Sequence, residues 1–145
     1  MFFQWFQQEK TNKIGFEDVL YAINNKDQCV LINTMPSNCQ QCLIQTTIPI
    51  DVEEQMINQL LNQNQIKKKI IIYGKNSTDN SCDQKYKQLS QLGFSEVYIF
   101  VGGMFEWLLL QDIYSNQEFP TTNKLIDILI YKPSPLFHIY RLENS

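Results

Sequence analysis

Three short runs of apolar residues constrain this chain more than any other feature: QCVLIN at residues 28–33, KIIIY at 69–73 and SEVYIFVGG at 95–103. Each is too short for a helix and lacks the polar alternation of a half-exposed strand. A continuous run of this length is the pattern of a strand covered on both faces. Helical patterns lie between them. Residues 14–25 place Phe16, Val19, Leu20 and Ile23 on one face, with Asn24 and Asn25 as a stop. Residues 51–63 put Met56, Leu60 and Leu61 together behind Asp51 as a helix cap. Residues 83–94 direct Tyr86 and Leu89 inward and end at Gly93, suited to a left-handed stop. Residues 104–114 form a short apolar helix. Residues 34–42 read as a loop broken by Pro36, and residues 42–50 as a further β-rich run ended by Pro49. Alternating strands and helices with short connections predict an α/β domain: a central parallel sheet flanked by helices on both faces.

A chain of 145 residues is one domain of ordinary size, able to bury a core without covalent staples. With 43% hydrophobic and 19% charged residues it is a folding chain, not a disordered one. A net charge of −3 argues against nucleic acid as a partner. The one basic run, Lys67 to Lys69, directly precedes a strand and reads as a solvated gatekeeper. Asn and Gln make up about a fifth of the chain, scattered among regular apolar positions, which is a bias of AT-rich coding more than of function. No apolar run is long enough to cross a bilayer. The opening MFFQWFQQEK lacks the basic region of a secretory signal and the Arg-rich pattern of a transit peptide. Cytoplasmic residence, with Cys29, Cys39, Cys42 and Cys82 as free thiols, is the expectation.

Several local pieces together resemble the rhodanese-like domain over residues 13–122. The helix-opening pattern runs from Ile14 to Leu20, and the strand-turn pattern from Leu31 to Met35. A third segment runs from Cys42 to Ile48, and the pattern L-x-x-L-G-F-x-x-V-Y-x-F-x-G-G-x-x-x-W spans Leu89 to Trp107 nearly residue for residue. The last is the most specific. The resemblance implies a single rhodanese-like domain, preceded by an aromatic arm at residues 1–12 and followed by an extension at residues 123–145. In that family a cysteine after the central strand sits in a loop whose backbone N–H groups stabilise a thiolate or a bound anion. The thiolate takes up sulfane sulfur as a persulfide and passes it on.

The resemblance places that cysteine directly after Tyr73, where this chain has Gly74. No Arg follows in Gly74, Lys75, Asn76, Ser77, Thr78, Asp79, Asn80 or Ser81. The Asp and Arg usual in the earlier turn are Asn33 and Met35, and the usual His is Leu43. Four positions have changed together, so the site reads as degenerate and the domain as non-catalytic. Its expected role is a protein-interaction or structural module within an assembly, with no cofactor and no metal. The resemblance permits a cytoskeletal or ciliary location. The loop amides, with Lys75 near, remain a candidate weak anion site.

The alternative is a sulfurtransferase or thiol-redox enzyme using Cys82 or the Cys39/Cys42 pair. Cys82 lies eight positions beyond Gly74, so it is expected on the helix outside the cradle. Cys39-Gln-Gln-Cys42 has the spacing of a redox or zinc half-site, but the lone histidine, His138, is far away in the tail. For binding, Phe2, Phe3, Trp5 and Phe6 form an aromatic cluster, and Phe105 and Trp107 belong to a helix with more large apolar residues than one face can bury. Clasping of neighbouring copies through the arm and tail is a third reading.

Overall fold

The structure is a computed structural model and describes residues 10–137. Phe2, Phe3, Trp5, Phe6 and His138 lie outside the described residues. The chain runs β1 (Lys13–Ile14), α1 (Phe16–Ile23), β2 (Cys29–Asn33), α2 (Ile50–Asn62), β3 (Lys69–Tyr73), α3 (Ser81–Gln91), β4 (Val97–Phe100) and α4 (Gly103–Ile113). Short 3₁₀ turns occur at Ser37–Cys39 and Ile128–Tyr131.

The sheet is parallel throughout in the order β1-β4-β3-β2, and Ile32, Ile72 and Ile99 stand in one row across it. Side chains alternate between faces along a strand, and the packing follows that alternation. Leu31, Ile71, Tyr73 and Phe100 join a core with α1 and α4, through Val19, Met104, Trp107 and Leu108. Val30, Ile32, Ile70, Ile72, Val97 and Ile99 join a second core with Ile57 and Leu60 of α2 and Cys82 and Leu89 of α3. Right-handed crossovers explain the division. The chain crosses the whole sheet from β1 to β2 through α1, then steps back through α2 and α3 on the other face. The predicted α/β architecture with helices on both faces is the one observed.

Trp107 sits fully enclosed at the centre of the first core, edge-on to Phe100 and Phe119, with its indole N–H donating to the Pro120 carbonyl at 3.1 Å. It offers no surface to a partner. The expectation of one there is corrected by the helix register, which turns Trp107 and Leu108 inward and leaves Ile113 and Tyr114 exposed.

Two further expectations change. Residues 42–49 form no named strand. The Tyr73 hydroxyl accepts the Ile44 N–H at 3.1 Å and lies 2.7 Å from the Thr47 hydroxyl, so a side chain meets demands that a ladder would otherwise meet. Thr46 takes a left-handed φ of 73°. The segment instead shields edge strand β2, with Ile48 donating to Leu31 O. Asp51 is not the cap of α2. Pro49, with φ fixed near −59°, ends the preceding segment, and the helix starts at Ile50 without a side-chain cap. The two-residue strand β1 carries no periodicity by which to see it. Its place is set by Asn12, whose carbonyl accepts the Ile99 N–H and whose amide donates to Val97 O.

Beyond Thr122 the chain returns to the core: Leu125 and Ile128 pack on it, and Tyr131 is buried. No helix among the described residues is long and apolar enough to cross a membrane.

Removing the Tyr73 hydroxyl strands the buried Ile44 N–H. Tyr73→Phe should therefore lower unfolding stability by about 1–3 kcal/mol, read as a fall in the urea midpoint at unchanged slope.

Candidate functional site

The carboxyl ends of β2, β3 and β4 meet where ligands bind in open parallel sheets. Three segments converge there: the turn after Asn33, the loop from Gly74 to Asn80, and the Gly102-Gly103 pair that opens α4. The last two are fastened together, since Met104 N–H donates to Gly74 O at 2.9 Å and Phe105 N–H to Lys75 O at 2.8 Å. This contact demands a glycine at 103, where φ is +65° and an added Cβ would lie 2.7 Å from Gly74 O.

Asp79 governs the loop interior. One carboxylate oxygen accepts the Lys75 N–H at 2.9 Å, and the other accepts the Ser81 N–H at 3.0 Å, at the start of α3. A Cβ added to Gly74 would stand 2.5 Å from Asp79 Oδ2 and 3.3 Å from Thr34 Oγ1. The space into which a side chain at position 74 would extend is thus held by the loop's own carboxylate. Partial burial pushes the Asp79 pKa up. The Lys75 and Ser81 amides, the Ser81 hydroxyl and the Lys75 charge outweigh this, and the net shift is downward. Asn76 is buried in the same loop, accepting from the Thr78 N–H and hydroxyl and donating to Tyr131 O at 2.8 Å.

Asn33, Met35 and Leu43, the other positions at which the sequence departs from the resemblance, are engaged within the fold. Asn33 and Gln40 exchange amide hydrogen bonds of 3.0 and 2.7 Å, and Asn33 also accepts the Met35 N–H. Met35 and Leu43 are both buried in the core shared with α1 and α4. These partners went unnoticed in the sequence, because an Asn and a Gln seven positions apart in a loop carry no periodic signal.

Cys29, Cys39 and Cys42 belong to the core on the α1–α4 face, and Cys82 to the core on the other. Cys82, in the first turn of α3, is buried on the α2–α3 side, 3.5 Å from the Thr34 hydroxyl. Burial first, with Asp79 and Asp83 adding to it, pushes its pKa up to about 11 despite the Thr34 contact. It borders a small cavity of about 130 Å³ behind the loop, with Thr78, Asp79 and Ile99. Cys42 is buried and donates to Asn123 O at 3.2 Å, while Cys39 is half-buried and contacts the Asn38 side chain. Both are free, as are Cys29 and Cys82. Burial raises the pKa of Cys29 and Cys42 as well. Among the described residues no group of three or more His, Cys, Asp or Glu is placed to hold a metal ion. Phe105 is half-buried over the loop it is bonded to, and its side chain packs on the core.

An open groove of about 710 Å³ runs beside the loop between α2 and α3, lined by Thr34, Ile57, Ser81, Gln88 and Leu92. The Lys85–Glu53 ion pair, 2.6 Å long, lies along it. None of the four thiols lines this groove.

Comparison with protein families matches residues 16–110 to the Rhodanese-like domain. Comparison with curated proteins finds no match. Among solved structures, the chain resembles the Alr3790 protein from Anabaena sp. at 14% identity and a TM-score of 0.56, covering 78% of this chain and 94% of that one. It also resembles the BH2092 protein from Bacillus halodurans, at 21% identity and a TM-score of 0.56 over 70% and 74% of the two chains. A third is thiosulfate sulfurtransferase from Pseudomonas aeruginosa, at 15% identity and 0.54, covering 69% of this chain and 19% of that one. At such identities the likeness is one of fold.

Two measurements test the Asp79 arrangement. Gly74→Ala must displace the carboxylate from its amides, so it should cost about 1–3 kcal/mol of stability. Placed on Asp79→Ala, the same change should cost less, giving a coupling of about 1–2 kcal/mol in a double-mutant cycle. The pH dependence has a definite sign. A carboxylate whose pKa falls on folding contributes stability in full above its unfolded value, ordinarily 3.8, and loses it as pH falls through the folded value. The stability advantage of wild type over Asp79→Asn should therefore be constant near neutrality and shrink only in acid, measured by urea titrations across pH.

Proposed function

Because this chain belongs to the rhodanese-like domain family, we propose that it is a non-catalytic member, serving as a protein-interaction or structural module. The observation that carries this reading is the Asp79 carboxylate, held by the Lys75 and Ser81 amides in the space beside Gly74. Sulfur transfer by this fold needs a nucleophile at the base of the loop and inward amides left free for the charge that develops there. At position 74 there is no side chain to carry a persulfide, and two amides are already committed to an internal anion.

The same arrangement weighs against the loop as an anion site. A second anion would have to displace the carboxylate or sit beside a like charge. The Lys75 charge adds to the amides in holding Asp79 ionised. The thiols fit an inert role. Cys82 is raised to about 11, and a protonated thiol is a poor nucleophile near neutral pH.

Surface character supports an interaction role. In the segment after Thr122, Ile126, Leu136 and Phe137 are almost fully exposed, and Leu129 and Ile130 are more than half exposed. Five large apolar side chains turned to solvent within twelve residues are more than incidental surface hydrophobicity requires.

A sulfur-transfer assay from thiosulfate to cyanide on the purified chain tests the reading. The expected rate is that of the protein-free control. Turnover above it that disappears on alkylation of Cys82, or of Cys39 and Cys42, would establish the enzymatic alternative and overturn the proposal.

A further inference from the structure

Charge is unevenly spread over this molecule. At the amino-terminal ends of β2, β3 and β4 stand Lys26, Lys67, Lys68 and Lys69 against Asp27 and Glu96, in a chain whose net charge is −3. Lys69 is paired with Glu96 at 3.4 Å, whereas among the described residues neither Lys26 nor Lys68 forms an ion pair. The Lys68 ammonium donates to the main-chain carbonyl of Asp27 at 2.6 Å and has further donors to spare.

Lys26 and Lys68 both line a cleft of about 370 Å³, where α2 meets the edge strand β2. Its floor is apolar, formed by Val30, Ile48, Met56 and Leu60, and three glutamines add amide groups. Asp27 and Glu96 are not part of the lining, and no other acidic residue is. The cleft therefore suits an apolar side chain flanked by carboxylates.

The chain carries such a surface elsewhere. The stretch from Gly103 to Asn123 has no Lys or Arg, and its acids Asp112 and Glu118 flank Ile113 and Tyr114 at the end of α4. Ile113 is 69% and Tyr114 61% exposed. The start of α2 also sets acids beside Ile50 and Val52, but these are less exposed and Glu53 is held by Lys85. Helices α4 and α2 pack on opposite faces of the sheet, so one copy cannot bring its own α4 corner to its own cleft. A second copy can.

We propose that the cleft beside α2 receives the corner of residues 112–118 from a second copy of this chain. Ile113 and Tyr114 cover the apolar floor, while Asp112 and Glu118 meet Lys26 and Lys68. Each copy offers one surface and accepts on another, so copies join head to tail. This deepens the reading as a structural module by naming its partner. It is tested apart from that reading, since assembly mass and sulfur transfer are separate readouts.

Light scattering on the full chain provides the test. The mass should rise above that of one chain as concentration increases, and fall back as salt screens the charges. Lys26→Glu/Lys68→Glu turns the cleft against carboxylates, and Ile113→Ser/Tyr114→Ser removes the apolar part of the corner. Each variant alone should remain a single chain. Mixed, the two should form a dimer and nothing larger, because the intact corner of the first meets the intact cleft of the second. Circular dichroism establishes that each variant is folded, and Lys26→Glu alone, at an exposed position, serves if the change at Lys68 unfolds the chain. A wild type that stays a single chain at every concentration would overturn the proposal and leave the cleft to another partner. Assembly that survives both folded variants would place the contact elsewhere and overturn it too. Variants that stay apart when mixed would exclude a head-to-tail contact.

Discussion

The Asp79 carboxylate, gripped by the amides of Lys75 and Ser81, is the contact on which the carboxyl end of this sheet depends. A loop following a central parallel strand and entering a helix gathers backbone donors that no sheet or helix bond can satisfy. Left alone, those donors would call for water or for an anion. Here the loop supplies the anion itself. One side chain closes the turn from position 75 to 81, meets a donor at the head of α3 and lies favourably at that helix's amino end. With the loop closed in this way, its outer carbonyls are free to receive the first N–H groups of α4, and Asn76 can reach across to Tyr131.

That arrangement requires glycine in two places. At 103 the reason is backbone: a positive φ and an approach to Gly74 O that any Cβ would obstruct. At 74 the reason is the carboxylate, whose Oδ2 stands where a Cβ would nearly touch it. Gly74 and Asp79 therefore form one arrangement, in which a carboxylate from the rim of the loop fills the space beside the glycine at its base. The residues around it are engaged within the fold as well. Met35 and Leu43 add apolar volume to the core, and Asn33 ties down its own turn through Gln40.

Much of this was legible in the residues. The three apolar runs became strands, and the helix face of Phe16, Val19, Leu20 and Ile23 faces the core. Gly93 takes the left-handed φ of 108° that its place after α3 suggested. These features are visible because burial on one or both faces imposes a period on the sequence. What escaped notice has no period. The segment from Cys42 to Pro49 has β-forming composition, yet its N–H groups go to scattered partners, Leu43 to the Thr122 hydroxyl, Ile44 to the Tyr73 hydroxyl and Gln45 to the Pro120 carbonyl. Strand β1 is two residues long. Trp107 was suspect as a surface residue because its neighbours are so apolar. Only the register of α4 against Phe100 and Phe119 shows that the excess falls on Ile113 and Tyr114. Asp79 is one polar residue in a polar loop, and its role lies in a distance to the amide of Lys75 that no sequence pattern carries.

The return of the chain after Thr122 helps to hold this loop in place. Thr122 N–H donates to Leu43 O, the Thr122 hydroxyl accepts the Leu43 N–H, and Asn123 bonds the carbonyl of Gln41. The turn carrying Leu43 is thereby pinned from outside the sheet. A few residues later Tyr131 enters the core and offers its carbonyl to the buried amide of Asn76. Without that carbonyl the Asn76 Nδ2 would be a buried donor with nothing to meet, a cost comparable to that of losing the whole hydrogen bond. The tail thus does for this loop from the outside what Asp79 does from within. Both tie groups of the loop to the chain itself, the Lys75 and Ser81 amides to Asp79 and the Asn76 side chain to Tyr131.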